Sequence, residues 1–491
     1  MGIQDAGLTA TLLRTVVLIC VGPLQFGYHM SELNAPESII SCRASVPGNV
    51  KYVDSWFGKH GFKKCIPMSI EQFSFATSIF SVGGMVGSFF AGRITDTFGR
   101  RKCALMYSTI FLAGSALEGL SNDYIGLLIG RLSSGIAAGI ALVVSPMFIN
   151  EIAPTKCRGF LGTMYQVFIN LGILITQSLS VMWTDNNHWR LILLASGMIA
   201  LFHIVVTAAC VQESPRWLAA NNRRKEACLV LQKLRKMSYN EVNLEVASWS
   251  QRSNSGEVEL LNQDTDESTL ERGEIAAKQK TVSVKEFLTA KKFVNPRTVG
   301  TGMFAFQQFC GINSIVFYGV SVLVSLVPNK AILINVIIST LNLIMTLCAA
   351  PLIEMYGRKR MLLLSVSFMG LLTASMALGV IFTLTSLLVS STFTYIIFFA
   401  LGLGPIPPVI LNEVTQVEAK GAAQSWGTTI NWVATFIVGY LFPILKDKFL
   451  GGAVYFVFTA MCIAAFAFIV SWVPETKGLS TYEEIWRIRN S

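Results

Sequence analysis

Long apolar runs decide what this chain can become. About a dozen of them, each near the roughly 20 residues that a helix needs to cross a bilayer, are separated by short polar turns. They lie at 10–31, 71–93, 103–121, 124–148, 160–183 and 190–211, then at 298–325, 331–353, 361–382, 386–411, 423–445 and 452–473. The composition agrees, with 52% of residues hydrophobic and 14% charged. Lipid offers no hydrogen bonds, so segments of this length read as helices, whose backbone groups pair internally. The fold class is all-α, a membrane protein with six spans on each side of a polar break. The first run is close to a secretory leader in length, but it carries Arg14, Pro23 and His29 and lacks a small-residue cleavage site, so it counts as a span.

Four segments follow from this pattern: an N-terminal six-helix bundle over 1–211, a linker over 212–297, a C-terminal six-helix bundle over 298–473 and a tail over 474–491. The linker starts as an amphipathic helix, Lys225 to Lys236 with Leu229, Leu231 and Leu234, then turns acidic and small-polar, which reads as a disordered insertion near 250–280. The net charge of +10 reflects topology, not nucleic-acid binding. Arg93, Arg100, Arg101 and Lys102 follow the second span, Lys156 and Arg158 the fourth, and Arg358, Lys359 and Arg360 the eighth, which places these loops and both termini in the cytosol. The loop between spans one and two is the exception, with Arg43, Lys51, Lys59, Lys63 and Lys64 on the opposite side. It also holds Cys42 and Cys65, which would face an oxidising exterior or lumen; a disulfide and two free thiols are both open.

The two halves repeat one another. Asp96-Thr-Phe-Gly99-Arg100-Arg101 matches Glu354-Met-Tyr-Gly357-Arg358-Lys359, and Glu151 with Arg158-Gly159 matches Glu413 with Lys420-Gly421, in the same order and in both cases about 260 residues apart. Further motifs are Gly130-Arg131, Glu213-Ser-Pro-Arg216, Gln307-Gln308-Phe-Cys-Gly-Ile-Asn313, Gly404-Pro-Ile-Pro407 and Pro474-Glu-Thr-Lys-Gly478. Together these resemble the sugar porter branch of the major facilitator superfamily, the family of animal glucose transporters and fungal hexose carriers. Gln25-Phe-Gly-Tyr-His-Met-Ser-Glu-Leu-Asn-Ala-Pro36 is similar to fungal members, particularly a yeast group assigned to the vacuolar membrane. The resemblance implies a major facilitator fold of two pseudo-symmetric six-helix bundles, with the solute bound between them and released to alternate sides.

A sugar presents hydroxyls that both give and accept hydrogen bonds and carries little charge, so neutral amides suit it. Gln166, Gln307, Gln308, Asn313, Asn342 and Asn431 all fall in predicted spans, where an amide turned toward lipid is costly. The resemblance makes them the substrate-binding set, against the alternative of amide bonds between packed helices. Asn170 and Gln177 are read as structural. Trp432, Phe399 and Tyr318 offer faces for the apolar side of a pyranose, and by resemblance Phe317 and Tyr318 belong to an outer gate. Glycine and proline at Gly402, Gly404, Pro405, Pro407 and Pro408 break the tenth span. Ala400 and Pro408 stand where glucose carriers have a Glu and a Trp, which puts glucose selectivity in question but not transport.

Charged turns at the cytosolic ends form a candidate inner gate of salt bridges that join the bundles when that side is shut: Arg100, Arg101, Glu151, Arg158, Glu213, Arg216, Glu354, Arg358, Glu413 and Lys420. His29 and Arg131 are the candidates for proton coupling, because proton-coupled relatives carry an Asp at the histidine's position. A histidine kept neutral by a nearby arginine would act as a hydrogen-bonding group instead, which favours facilitated diffusion over symport. Glu118 is another intramembrane acid, near the outer end of span three, with snorkelling outward the alternative to a part in coupling. No metal spacing, nucleophile with a base or phosphate loop is found, so neither an enzyme nor a cofactor is expected. The expected partners are a small-molecule sugar, the lipid bilayer and, if coupled, protons, with a monomer as the working unit in a vacuolar or plasma membrane. A non-transporting sensor and a carrier of another polyol are the alternatives; residues 474–491 make a short tail for a sensor.

Overall fold

The computed structural model describes residues 8–48, 50–154, 157–247, 282–324, 326–328, 330–477, 482 and 484–486. Lys156 and the expected insertion near 250–280 lie outside them, as does the side chain of Arg158. Secondary structure among the described residues is helical, with no strand.

The first span is two helices, α1 (Ala10–Ile19) and α2 (Val21–Ser31), parted at Cys20. Pro23 has no N–H to give the Ile19 carbonyl four residues back, which accounts for the interruption. Short helices α3 (Glu37–Ile40) and α4 (Trp56–Lys59) occupy the following loop, and α5 (Ile70–Phe98), α6 (Arg100–Leu120), α7 (Tyr124–Ile152), α8 (Arg158–Trp183) and α9 (Trp189–Cys210) complete the first half. The linker carries α10 (Pro215–Ala220), α11 (Arg224–Arg235) and α12 (Val284–Thr289). In the second half α13 (Val294–Phe309) and α14 (Ile312–Val324) share a span broken at Gly311, whose φ of +104° suits glycine. Then come α15 (Ala331–Tyr356), α16 (Arg358–Ile381), α17 (Thr385–Leu401) with α18 (Ile406–Glu413), α19 (Lys420–Ile444) and α20 (Val454–Trp472).

Among the described residues, eleven helical stretches, several of them interrupted, are long and apolar enough to cross a membrane. The last of them, Lys420–Trp472, has 53 residues, which as one helix would be about 80 Å long, far more than a bilayer. It comprises α19 and α20, separated by a link in which Gly451 adopts φ +55°, so the crossings number twelve. One face of the bundle carries the first and last described residues and the α5–α6 and α15–α16 turns; the opposite face carries the loop with Cys42 and Cys65. They are called the terminus face and the disulfide face below.

Close backbone approach within the first half depends on small residues. A methyl group added at Gly83 or Gly87 of α5, or at Gly135 or Gly139 of α7, would clash with a backbone carbonyl of the other helix. On the disulfide face Cys42 and Cys65 are joined by a disulfide across 23 residues. Their loop is anchored to α9, where the Trp189 indole donates to the Lys64 carbonyl at 2.9 Å and buried Arg190 donates to those of Lys63 and Gly119, both at 2.9 Å. Closing a loop of this length removes about 3 kcal/mol of unfolded-state freedom. Reductant is therefore expected to lower the midpoint of thermal unfolding of the purified protein but to leave a Cys42→Ser/Cys65→Ser variant unmoved. Equal shifts in both would show that the bond does not stabilise the fold.

The duplication is explicit at the terminus face. Gly99 and Gly357 take φ of +88° and +92° where α5 turns into α6 and α15 into α16. The orphan N–H groups that open α6 are capped by a carboxylate from far along the chain: Glu213 accepts from Arg100 N at 2.7 Å and Arg101 N at 3.2 Å. Glu475 does the same for α16, accepting from Arg358 N at 3.0 Å and Lys359 N at 3.2 Å. Beside each cap lies an ion pair, Arg100 with Glu151 at 2.6 Å and Arg358 with Glu413 at 3.1 Å, and each glutamate also accepts a hydroxyl, from Ser214 and Thr476 respectively.

In this conformation Arg100, Arg101, Glu151 and Glu213 close within the first half, and Arg358 and Glu413 within the second. Glu354 is exposed and Lys420 half-buried, and neither forms an ion pair among the described residues. Contacts between the halves run from the middle of the bundle to the disulfide face. Ser88 accepts from the Trp432 indole at 3.1 Å and Asn170 donates to Thr346 at 2.7 Å. Nearer the disulfide face, Phe75 packs edge-on against Phe436 and Tyr440, and Glu71 pairs with Lys448. Toward the terminus face, Phe89, Phe90 and Phe98 of α5 are exposed.

Candidate functional site

Broken helices supply the polar groups of the bundle centre. Residues 402–405 interrupt the tenth span between α17 and α18, and such a break frees carbonyls that a lipid-embedded helix cannot leave unpaired. Gln307 of α13 satisfies two of them, donating from Nε2 to Gly404 O at 2.7 Å and Leu403 O at 3.1 Å. Its Oε1 accepts from Asn431 of α19 at 2.7 Å. One turn of amide chemistry thus ties three helices together while leaving Gln307 and Asn431 half-buried. Gln308 and Asn313 pair on either side of the Gly311 break, Asn313 donating to Gln308 Oε1 at 2.7 Å, and Asn313 keeps a buried Oδ1 with no partner among the described residues. An unsatisfied acceptor beside a helix break is suited to a hydroxyl donor.

The remaining predicted site residues lie where the halves meet. Asn342 of α15 donates to Asn170 Oδ1 of α8 at 3.4 Å. Gln166 lies one turn before Asn170 on α8, half-buried and without a hydrogen-bond partner among the described residues. Asn170, read from sequence as structural, therefore bridges the two halves. Trp432 is 4% exposed and edge-packed between Phe26 and Phe80 of the first half, with ring centroids 5.8 and 6.2 Å away. Phe317 and Tyr318 are both buried, and the Tyr318 hydroxyl donates to Gly439 O at 2.7 Å. Ala400 is buried, and the Pro408 carbonyl accepts from Gln424 at 2.8 Å.

A second constellation sits inside the first half. His29, Glu32, Glu118 and Arg131 are all fully buried. Arg131 Nη1 donates to Glu32 Oε1 at 2.5 Å and to the His29 carbonyl at 2.9 Å, and His29 Nδ1 lies 2.8 Å from the same Glu32 oxygen. Glu118 accepts from Ser134 at 2.7 Å and approaches His29 and Arg131 at 4.0 and 3.8 Å. Aromatic rings wall the cluster: Phe111 stacks on His29 at 5.0 Å and Phe80 lies 4.7 Å below the guanidinium. Glu118 therefore does not snorkel; it points into the bundle because Ser134 and Arg131 receive it there. Glu32 was missed, although its i+3 spacing from His29 on a span-one helix puts the two on one face.

Two homologous six-helix halves, with amides at broken helices between them, define a secondary transporter of the major facilitator type. A family model described as "Sugar (and other) transporter" matches residues 15–487, and the chain belongs to that family. Among relatives, the "probable metabolite transport protein YBR241C" of Saccharomyces cerevisiae is 40% identical over 481 residues, covering 98% of this chain and 96% of its own. "Vacuolar protein sorting-associated protein 73" of the same yeast is 38% identical, covering 96% and 95%. Facilitated glucose transporter member 2 of Rattus norvegicus is 30% identical, covering 97% and 94%. The inward-open xylose transporter XylE of E. coli superposes with a TM-score of 0.75 at 21% identity over 97% of this chain and 99% of that one, which shows the fold. The protein is thus a multi-pass membrane transporter of the sugar porter type, not an enzyme.

Proposed function

We propose that the protein carries a monosaccharide, a hexose such as glucose or fructose, across its membrane by alternating access of a site between the two halves. The observation that carries this reading is the amide set Gln307, Asn431, Gln308 and Asn313 at two helix breaks, a neutral donor–acceptor lining that fits a polyhydroxyl solute. Gln166, Asn342 and Trp432 complete the site from the seam between the halves. Closed contacts at the disulfide face support reading this conformation as open toward the cytosol, with the terminus face on that side and the disulfide in an oxidising lumen or exterior. In the opposite conformation the charges Arg158, Arg216, Glu354 and Lys420 come within reach across the seam, while the symmetric capped pairs keep each half rigid. A single chain suffices as the working unit, in the vacuolar or plasma membrane.

Facilitated diffusion is the first energetic reading, with His29 a neutral hydrogen-bonding group. Proton symport is a second reading favoured by a specific observation: the buried cluster holds two carboxylates against one guanidinium. Fully ionised, it would leave one negative charge uncompensated in a dry site, and a proton taken up there restores balance. The deciding measurement is uptake of labelled hexoses into liposomes holding the purified protein, with and without an imposed pH gradient. Saturable uptake indifferent to the gradient supports diffusion, accumulation driven by it supports symport, and no uptake of any hexose defeats the substrate assignment and turns attention to other polyols.

A further inference from the structure

The turn that follows α2 places one amide in an unusual position. Asn34 is 1% exposed, and its side chain reaches from the first half to α14 of the second. Its Nδ2 donates to the Val316 carbonyl at 2.9 Å, and its Oδ1 accepts from the Val320 N–H at 3.0 Å. Val316 C=O and Val320 N–H are four residues apart, the pair that bond each other in a regular α-helix. A carboxamide from the other half therefore engages both ends of one rung of the α14 ladder, at the turn that also holds Phe317 and Tyr318. A side chain seated in the ladder is a recognised cause of a local opening in a helix.

We infer that Asn34 is the latch of the disulfide-face gate, a positioning residue that holds α14 against the first half by standing in for its Val316–Val320 bond. The arrangement has two satisfied states. With Asn34 seated, both backbone groups bond its amide and the halves are joined; with Asn34 withdrawn, Val320 bonds Val316 and α14 is whole and free to leave. Neither state strands a buried polar group on α14, so the rung can switch without the penalty of unsatisfied backbone. The neighbours support the position: Leu33 and Ala35 are buried with α14, and Glu37, pushed up from the ordinary carboxyl range by burial, also meets Ser321 and Lys446 of the second half. This inference rests on the alternating-access reading and not on which solute is carried.

The test reads the gate directly, without sugar. Ser78 of α5 is fully buried at the same seam, beside Gly439 and Phe317, so a Ser78→Cys substitution reports its opening to a soluble maleimide. Modification is followed by peptide mass on the full-length protein, with buried native Cys103 and Cys462 as internal reporters of unfolding. Asn34→Ala is expected to speed labelling of the introduced cysteine about tenfold, a shift of ~1.4 kcal/mol in the gate equilibrium, with Cys103 and Cys462 unchanged. Asn34→Asp keeps the size and the acceptor for Val320 but loses the donor for Val316, and should fall between. Should the alanine variant also expose Cys103 and Cys462, the aspartate variant decides. Labelling no faster than in the parent overturns the inference, whatever the outcome of sugar uptake.

Discussion

Gln307→Ala is expected to weaken sugar binding by about a hundredfold while the protein still folds and inserts. Gln307 holds three things at once: the Gly404 and Leu403 carbonyls at the break before α18, and the Asn431 amide on α19. Alanine removes one ligand contact and releases Asn431 from its set orientation. Two hydrogen bonds at about 1–1.5 kcal/mol each give a loss of ~2–3 kcal/mol, or roughly 30- to 150-fold in affinity. The fold should survive because the site is half-buried and water can reach the two carbonyls. Equilibrium binding of a labelled hexose to purified parent and variant settles it, and parental affinity in the alanine variant would remove Gln307 from the site. A matched change at Gln177, whose amide faces the Ser31 carbonyl at 3.5 Å in the first-half core, should cost stability more than affinity.

The spans, the duplication and the broken tenth helix were legible because each is a local pattern: a run near 20 apolar residues, a repeated charged turn, and a Gly-Pro cluster that cannot continue a helix. Partners set by tertiary structure were not. Glu475 caps α16 as Glu213 caps α6, yet Glu475 sits in a short tail motif with nothing nearby to mark it as a cap. The gate charges show the same limit from another side. Sequence identifies which residues carry charge at the terminus face, but whether Arg100 meets Glu151 of its own half or an acid of the other depends on which side of the transporter is open. Glu32 was within reach of sequence reasoning, since three residues separate it from His29 on one helix face. With span one drawn over 10–31, it falls one residue past the helix. In the folded chain the turn after α2 stays inside the bundle, where Arg131 meets it.

Arg131→Ala should be among the most damaging single changes in the molecule, and its rescue tells structure from mechanism. The substitution leaves Glu32 and Glu118 buried without their counter-ion, and breaking a buried pair in this way typically costs about 3–5 kcal/mol. A large fall in thermal midpoint, or loss of folded protein from the membrane, is the expected result. Removing the charges together has a different outcome, because a neutral buried cluster of similar volume is often as stable as the ionic one. The triple variant Arg131→Met, Glu32→Gln, Glu118→Gln should therefore recover most of the lost stability. Uptake then separates the two energetic readings. If the cluster only braces α2 against α6 and α7, the rescued protein transports sugar down its gradient as the parent does. If the parent accumulates sugar against its gradient when protons flow inward, the rescued protein should still equilibrate sugar yet ignore the pH difference, since no carboxylate remains to carry the proton between sides. A rescued variant that still accumulates sugar with the proton gradient would place coupling elsewhere in the molecule and leave this cluster a purely structural one.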